Sequence, residues 1–148
     1  MLDVEQKQKL ASLLAQEHVA VVTTQGDEWP TATMQAFAET DTLEVILIML
    51  ESAPKFLNLQ KRPNVTVHVD TRDSGDVRSF QIIRAWIEGV AREVPRGSAE
   101  WESGKATFLK KNPFEEPFFK YDTLRMVRVI PKRVSYANGL GESFKAEC

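Results

Sequence analysis

Lys55 has the strongest claim to chemistry in this sequence. It lies in Glu51-Ser-Ala-Pro-Lys-Phe-Leu-Asn-Leu-Gln-Lys-Arg-Pro-Asn64. Pro54 suits the first turn of a helix, where its missing N–H is no loss, and Pro63 closes that helix. A lysine at such a start stands beside backbone N–H groups that no helical carbonyl accepts, which is a good place for a phosphate. Without a ligand the same lysine is an ordinary solvated side chain.

Other reactive residue types are sparse. With only His18 and His68, a histidine-rich metal site is impossible, and no metal is expected. His68 alternates with Val65, Val67 and Val69 and so takes the other face of its strand. His18 falls at the end of a helical stretch, where a cation suits the dipole. Glu100 and Glu102 fall at a helix start and Glu115 and Glu116 in a loop, as dipole partners or solvated side chains. Trp86, on the polar side of a long strand, is expected to be packed. The chain has no Gly-x-Ser-x-Gly elbow, no Gly-x-x-x-x-Gly-Lys-Ser/Thr loop and no Gly-x-Gly-x-x-Gly turn. Redox or transfer chemistry would therefore have to come from a cofactor.

The elements that position Lys55 are mostly strands. Leu43–Leu50 is an apolar run of strand length ahead of it, and Val65–Asp70 alternates behind it. Phe56, Leu57, Leu59 and Gln60 form the apolar side of the helix between them. Upstream, Asp3 caps a first helix with Gln6 three residues on, and Leu10, Leu13 and Leu14 make its stripe. Val19–Thr24 then turns at Gly26, and Trp29–Ala38 returns. Thr71–Val77 is a polar loop before a long strand, Ser79–Val94, in which Gly89 allows a bulge. Ser98 caps a third helix; Asn112–Phe119 is a loop dense in proline and phenylalanine; Leu124–Val129 runs past Pro131 to Tyr136. Helices are expected at about 4–17, 53–61 and 98–111. The fold expected is mainly β, a small antiparallel barrel with helices packed outside.

Composition sets the remaining bounds. At 148 residues, one domain spanning 1–148 is expected. A net charge of −2 with both signs interspersed calls for neither nucleic acid nor an anionic membrane. Cys148 is the only cysteine, so no intrachain disulfide forms and a four-cysteine zinc site is excluded. No apolar stretch reaches membrane-spanning length and the N-terminus is polar, so a cytoplasmic protein is expected.

The segment Ser52–Val65 resembles a signature of the pyridoxamine-phosphate-oxidase-like, FMN-binding split-barrel family, Ser-x-Lys-x-x-Asn-Leu-x-x-x-Pro-x-Val. Three further stretches are similar to that family's strands: Pro30–Phe37 after the Gly26 turn, Ile83–Ala91, and Val127–Val134. The resemblance implies a split antiparallel β-barrel homodimer with FMN at the subunit interface. It puts Lys55 on the flavin phosphate, with Ser52 beside it because Ala53 occupies the usual serine position. Thr33, Met34 and Gln35 fall on the strand whose backbone meets the flavin ring. Ile48 and Met49 fall where many members place a threonine that touches phosphate, and Arg84 where the true oxidases carry a ring-binding glutamine. Arg84 is expected on the cofactor side; the alternative is a surface arginine paired with Glu88. The oxidases' C-terminal Arg-x-His sequence has no match in Gly139–Phe144, which argues against pyridoxamine phosphate as substrate. The function implied is an FMN-dependent oxidoreductase acting on an unknown small molecule. The alternatives are a non-enzymatic or flavin-free dimeric scaffold, and a heme or deazaflavin relative.

Overall fold

The computed structural model describes residues 1–148. Asp3 caps α1 (Val4–Gln16) in a reciprocal capping box with Gln6. The apolar stripe of α1, Leu10, Leu13 and Leu14, is buried. Alternation then carries the chain into β1 (Val19–Gln25), which turns back as β2 (Pro30–Ala36) in full antiparallel register, Val19 opposite Ala36. The return strand expected over Trp29–Ala38 is broken at Phe37, whose side chain is fully buried. Beyond it the two-residue β3 (Ala38–Glu39) leaves β1 and pairs with β4 (Val45–Leu50). β4 starts two residues later than expected because Leu43 takes a positive φ of 65° and donates to the Thr40 carbonyl.

α2 (Pro54–Lys61) follows, with Phe56 and Leu59 buried; Leu57, expected on the same side, is exposed. β5 (Asn64–Asp70) and β6 (Ile83–Val94) form the next antiparallel pair. β6 begins four residues after the expected Ser79, since residues 77–80 form a turn and Phe80 takes φ 58°. α3 (Ala99–Lys111) is capped by Ser98. The Pro- and Phe-rich stretch expected as a loop is instead the 3-10 helix Pro113–Lys120. One long strand, β7 (Leu124–Asn138), pairs with β6 along its length, with β4 through Leu124–Val129, and with β8 (Glu142–Glu147) through Arg133–Asn138. β8 had no counterpart among the expected strands.

The strand order is β2-β1-β5-β6-β7-β4-β3, entirely antiparallel. Its edge strands, β2 and β3, are separated in sequence by Phe37 alone, so the sheet has to curl until its edges meet there. A shift in register between Glu88 and Gly89 sharpens the curl, and Gly89 lies opposite Pro131, which has no N–H to pair. Inside the curl, Val22, Val45, Leu47, Val67, Ile87, Val129 and Val134 pack with Leu10 and Leu14 of α1 and Phe56 and Leu59 of α2. A second apolar cluster lies outside it. Trp101 and Phe108 of α3 and Phe119 of the 3-10 helix cover Ile46, Ile48 and Met126 there. The outer face of β2, β1, β5 and β6 has no helix over it: in register across it stand Met34, Val21, His68 and Trp86. No helix is long and apolar enough to cross a membrane.

Candidate functional site

α2 begins without help from side chains. Its N-cap, Ala53, offers no side-chain oxygen, and Pro54 has no N–H. The Ala53 carbonyl accepts from Phe56 and Leu57, so the Lys55 N–H alone is left free. No acidic residue lies in the first turn. Lys55 stands in that turn, half-buried, and its Nζ donates to Gln35 Oε1 at 2.6 Å. It forms no ion pair, and burial lowers its pKa below the usual lysine range. Lys111 loses solvent to a similar degree, but there Glu39 lies at 2.5 Å and the Leu14 carbonyl accepts a further bond. Lys9 is likewise held by Glu5 and Glu142. Lys55 is thus an ammonium that has given up water without receiving a counter-charge, at a helix end that itself attracts anions.

Gln35 links this cation to the seam of the sheet. Its Nε2 donates to the Ile48 carbonyl at 3.2 Å, so a side chain joins β2 to β4 where no backbone pairing does. Two residues earlier on the same face, the Thr33 hydroxyl is buried without a partner. Farther along that face of the sheet, Asn58 of α2 donates to Thr24 at 3.0 Å. Beside Gln35 opens a slot of about 160 Å³, lined by Ala36, Ile48, Met49, Leu50, Phe118 and Leu124, with Glu115 as its one acid. An unpaired hydroxyl, an uncompensated ammonium and the one free N–H of the α2 start, that of Lys55, beside an apolar slot suit a flat ring carrying an anionic arm.

The expected site residues divide accordingly. Lys55, Gln35 and Thr33 come together, and Ile48 joins them through its backbone carbonyl. Met49 points into the barrel core, 4% exposed, and closes the slot from that side. Ser52 is exposed, one residue ahead of the N-cap, with no side-chain hydrogen bond. Met34 points to the opposite face from Thr33 and Gln35 and is 66% exposed. Arg84 is exposed on β6, three strands from β2, and within one chain it does not join Lys55. Glu88 pairs with Arg133 instead of Arg84. His68 contacts Asp70 at 2.7 Å, and Arg72 holds that carboxylate well below its usual range. Glu115, read from sequence as solvated, is half-buried in the slot wall, and its only sequence signal was its place between phenylalanines 114 and 118. A larger open groove of about 680 Å³ lies by the β1–β2 turn; its Glu88 and Arg133 pair with one another, and its unpaired Glu28, Lys132 and Glu147 are exposed to solvent.

No protein-family model and no curated protein matches the chain in sequence. Solved structures do match in shape. Over 99% of its length the chain is similar to a heme binding protein from Mycobacterium smegmatis, at a TM-score of 0.87 and 16% identity; it spans 60% of that protein. It is similar to a FAD-binding protein from Mesorhizobium loti at a TM-score of 0.70 and 14% identity, over 91% of this chain and 94% of that one. A candidate pyridoxamine 5'-phosphate oxidase from Listeria innocua aligns at 0.66 and 19% identity, over 90% of this chain and 98% of the other. The curled antiparallel sheet, its peripheral helices and these likenesses agree: the chain has the split-barrel fold of the pyridoxamine-phosphate-oxidase-like proteins.

Proposed function

We propose that this chain forms a homodimer that binds FMN and serves as a flavin-dependent oxidoreductase for a small molecule. The observation that carries the reading is Lys55, half-buried with a neutral amide as its sole partner. A phosphate placed there receives the Lys55 ammonium and the unpaired Lys55 backbone N–H together, and compensates the charge that the fold leaves open. Gln35 orients Lys55 and presents its amide to the ring; Thr33 offers a hydroxyl. Ile48, Phe118 and Leu124 exclude water from the ring's edge. When bound, the flavin supplies the redox step, which explains a site without nucleophile or triad.

The slot is too small to bury a whole cofactor, since ligand sites usually enclose about 300–1,000 Å³. A second subunit supplies the missing wall, and the helix-free outer face with Met34, Val21, His68 and Trp86 is the surface we assign to it.

The likeness to the mycobacterial heme binding protein favours heme as the second reading. The slot lining contains no histidine, cysteine or tyrosine to serve as axial ligand, and Met49 is its only soft donor. The absorbance spectrum of purified protein, before and after addition of FMN or hemin, separates the two. Flavin bands, sharpened on binding, support the proposal; a Soret band alone supports the heme reading; uptake of neither leaves a cofactor-free scaffold.

A further inference from the structure

The slot beside Gln35 is lined by one charged group, Glu115, opposite in sign to the nearby Lys55. Glu115 turns inward from the 3-10 helix while Phe114 and Glu116 on either side are exposed. Its carboxylate makes no hydrogen bond and no ion pair, although it lines a cavity whose other walls are mostly apolar. Burial pushes its pKa upward, the mark of an acid losing water without compensation. Lys55, the cation of the site, is engaged by Gln35 instead. The cavity therefore offers an amide and a free carboxylate around an apolar middle, and the amide carries the Lys55 cation on its far side. A complementary ligand has an anion at one end and an N–H donor at the other.

We infer that Glu115 is the residue that selects the ligand, its carboxylate accepting a hydrogen bond from the ring edge remote from the phosphate. The inference rests on the flavin reading and deepens it. An isoalloxazine ring carries an imide N–H on its pyrimidine edge, well away from the ribityl phosphate, and satisfies both charges at once. A porphyrin carries two carboxylates on one edge and no outward-facing N–H, so Glu115 repels it. Discrimination of this kind comes from a repulsive group as much as from an attractive one.

The test is a set of titrations of the full chain with FMN, riboflavin and hemin, for wild type, Glu115→Gln and Glu115→Leu. Glu115→Leu should bind FMN and riboflavin about tenfold more weakly, since both share the ring edge. Glu115→Gln should lose less, because its amide oxygen still accepts. Hemin should bind more tightly to both variants than to wild type. A damaged fold lowers all three ligands together and shows in thermal unfolding, so opposite shifts for flavin and hemin are not produced by misfolding. Wild type that takes up neither FMN nor riboflavin overturns the flavin reading and this inference with it. Wild type that binds flavin, with affinities unchanged in both variants or with hemin falling alongside flavin, overturns the role of Glu115 alone.

Discussion

Gln35 Nε2 and the Ile48 carbonyl, 3.2 Å apart, span the one place where consecutive walls of the barrel share no backbone ladder. The same amide accepts the Lys55 ammonium on its oxygen. Replacing it with leucine leaves a carbonyl and an ammonium without their partners. Gln35→Leu should therefore lose about 1–3 kcal/mol of stability in urea unfolding. A loss below a few tenths would mean that water replaces the amide freely at the seam.

Lys55→Met should show the reverse balance. The ammonium is desolvated without a counter-charge, so its removal should change stability by no more than about 1 kcal/mol. FMN affinity should fall about ten- to a hundredfold, because a charge-assisted contact is lost. Riboflavin, which has no phosphate, should bind as before. Isothermal titration with both ligands checks this, and equal losses would place the phosphate elsewhere.

The pH dependence of FMN binding follows from the two partners. A phosphate monoester gains its second charge near pH 6, so affinity should rise as pH increases through that value. Burial lowers the pKa of Lys55 in the free protein, so the ammonium is lost below the usual lysine range as pH rises. Affinity should then fall on the alkaline side earlier than an exposed lysine would predict. Fluorescence titration across pH should give a bell for FMN and no such bell for riboflavin.

Gly89 marks the bend that brings the sheet edges together. A Cβ there would lie 2.5 Å from the Ile130 carbonyl oxygen and 2.8 Å from Val129 Cγ1. The first neighbour is backbone and cannot rotate aside. Gly89→Ala should cost about 1–3 kcal/mol, or more if the bulge unwinds. A thermal midpoint within a degree or two of wild type would show that the bend yields cheaply.

The outer sheet face gives the test of assembly. Trp86, half-buried there beside His68, should lose its partner contacts when made acidic. On the proposed dimer, Trp86→Glu should sediment as a monomer and carry less flavin. A Trp86→Glu dimer would move the interface to another surface.

Much of the fold was legible because it rests on local patterns. The capping box at Asp3 and Gln6, the valine alternation of β5 and the Ser98 cap are each written within a few residues. The expected helices at 4–17, 53–61 and 98–111 differ from the observed α1, α2 and α3 by one residue at an end. The expected bulge at Gly89 is present for a similarly local reason, a residue without Cβ inside an otherwise regular strand. Errors fell where a distant contact overruled the local pattern. Phe37 interrupts its strand to fill the core, and β8 exists because the far half of β7 needs a neighbour.

For the site, sequence named Lys55 and the strand carrying Thr33 and Gln35, but it did not decide which of these side chains face one another. Alternation along β2 sends Thr33 and Gln35 toward α2 and Met34 away, once the register with β1 is set. Gln35 meets Lys55 across 20 residues of chain and Ile48 across 13. Glu115 reaches the same slot from a segment that looked solvated. Helix caps and strand periods depend on neighbours in sequence, so the local order of residues alone carries them. Desolvation of Lys55 and Glu115 depends on which distant walls close around them, and only the curl of the sheet brings those walls together.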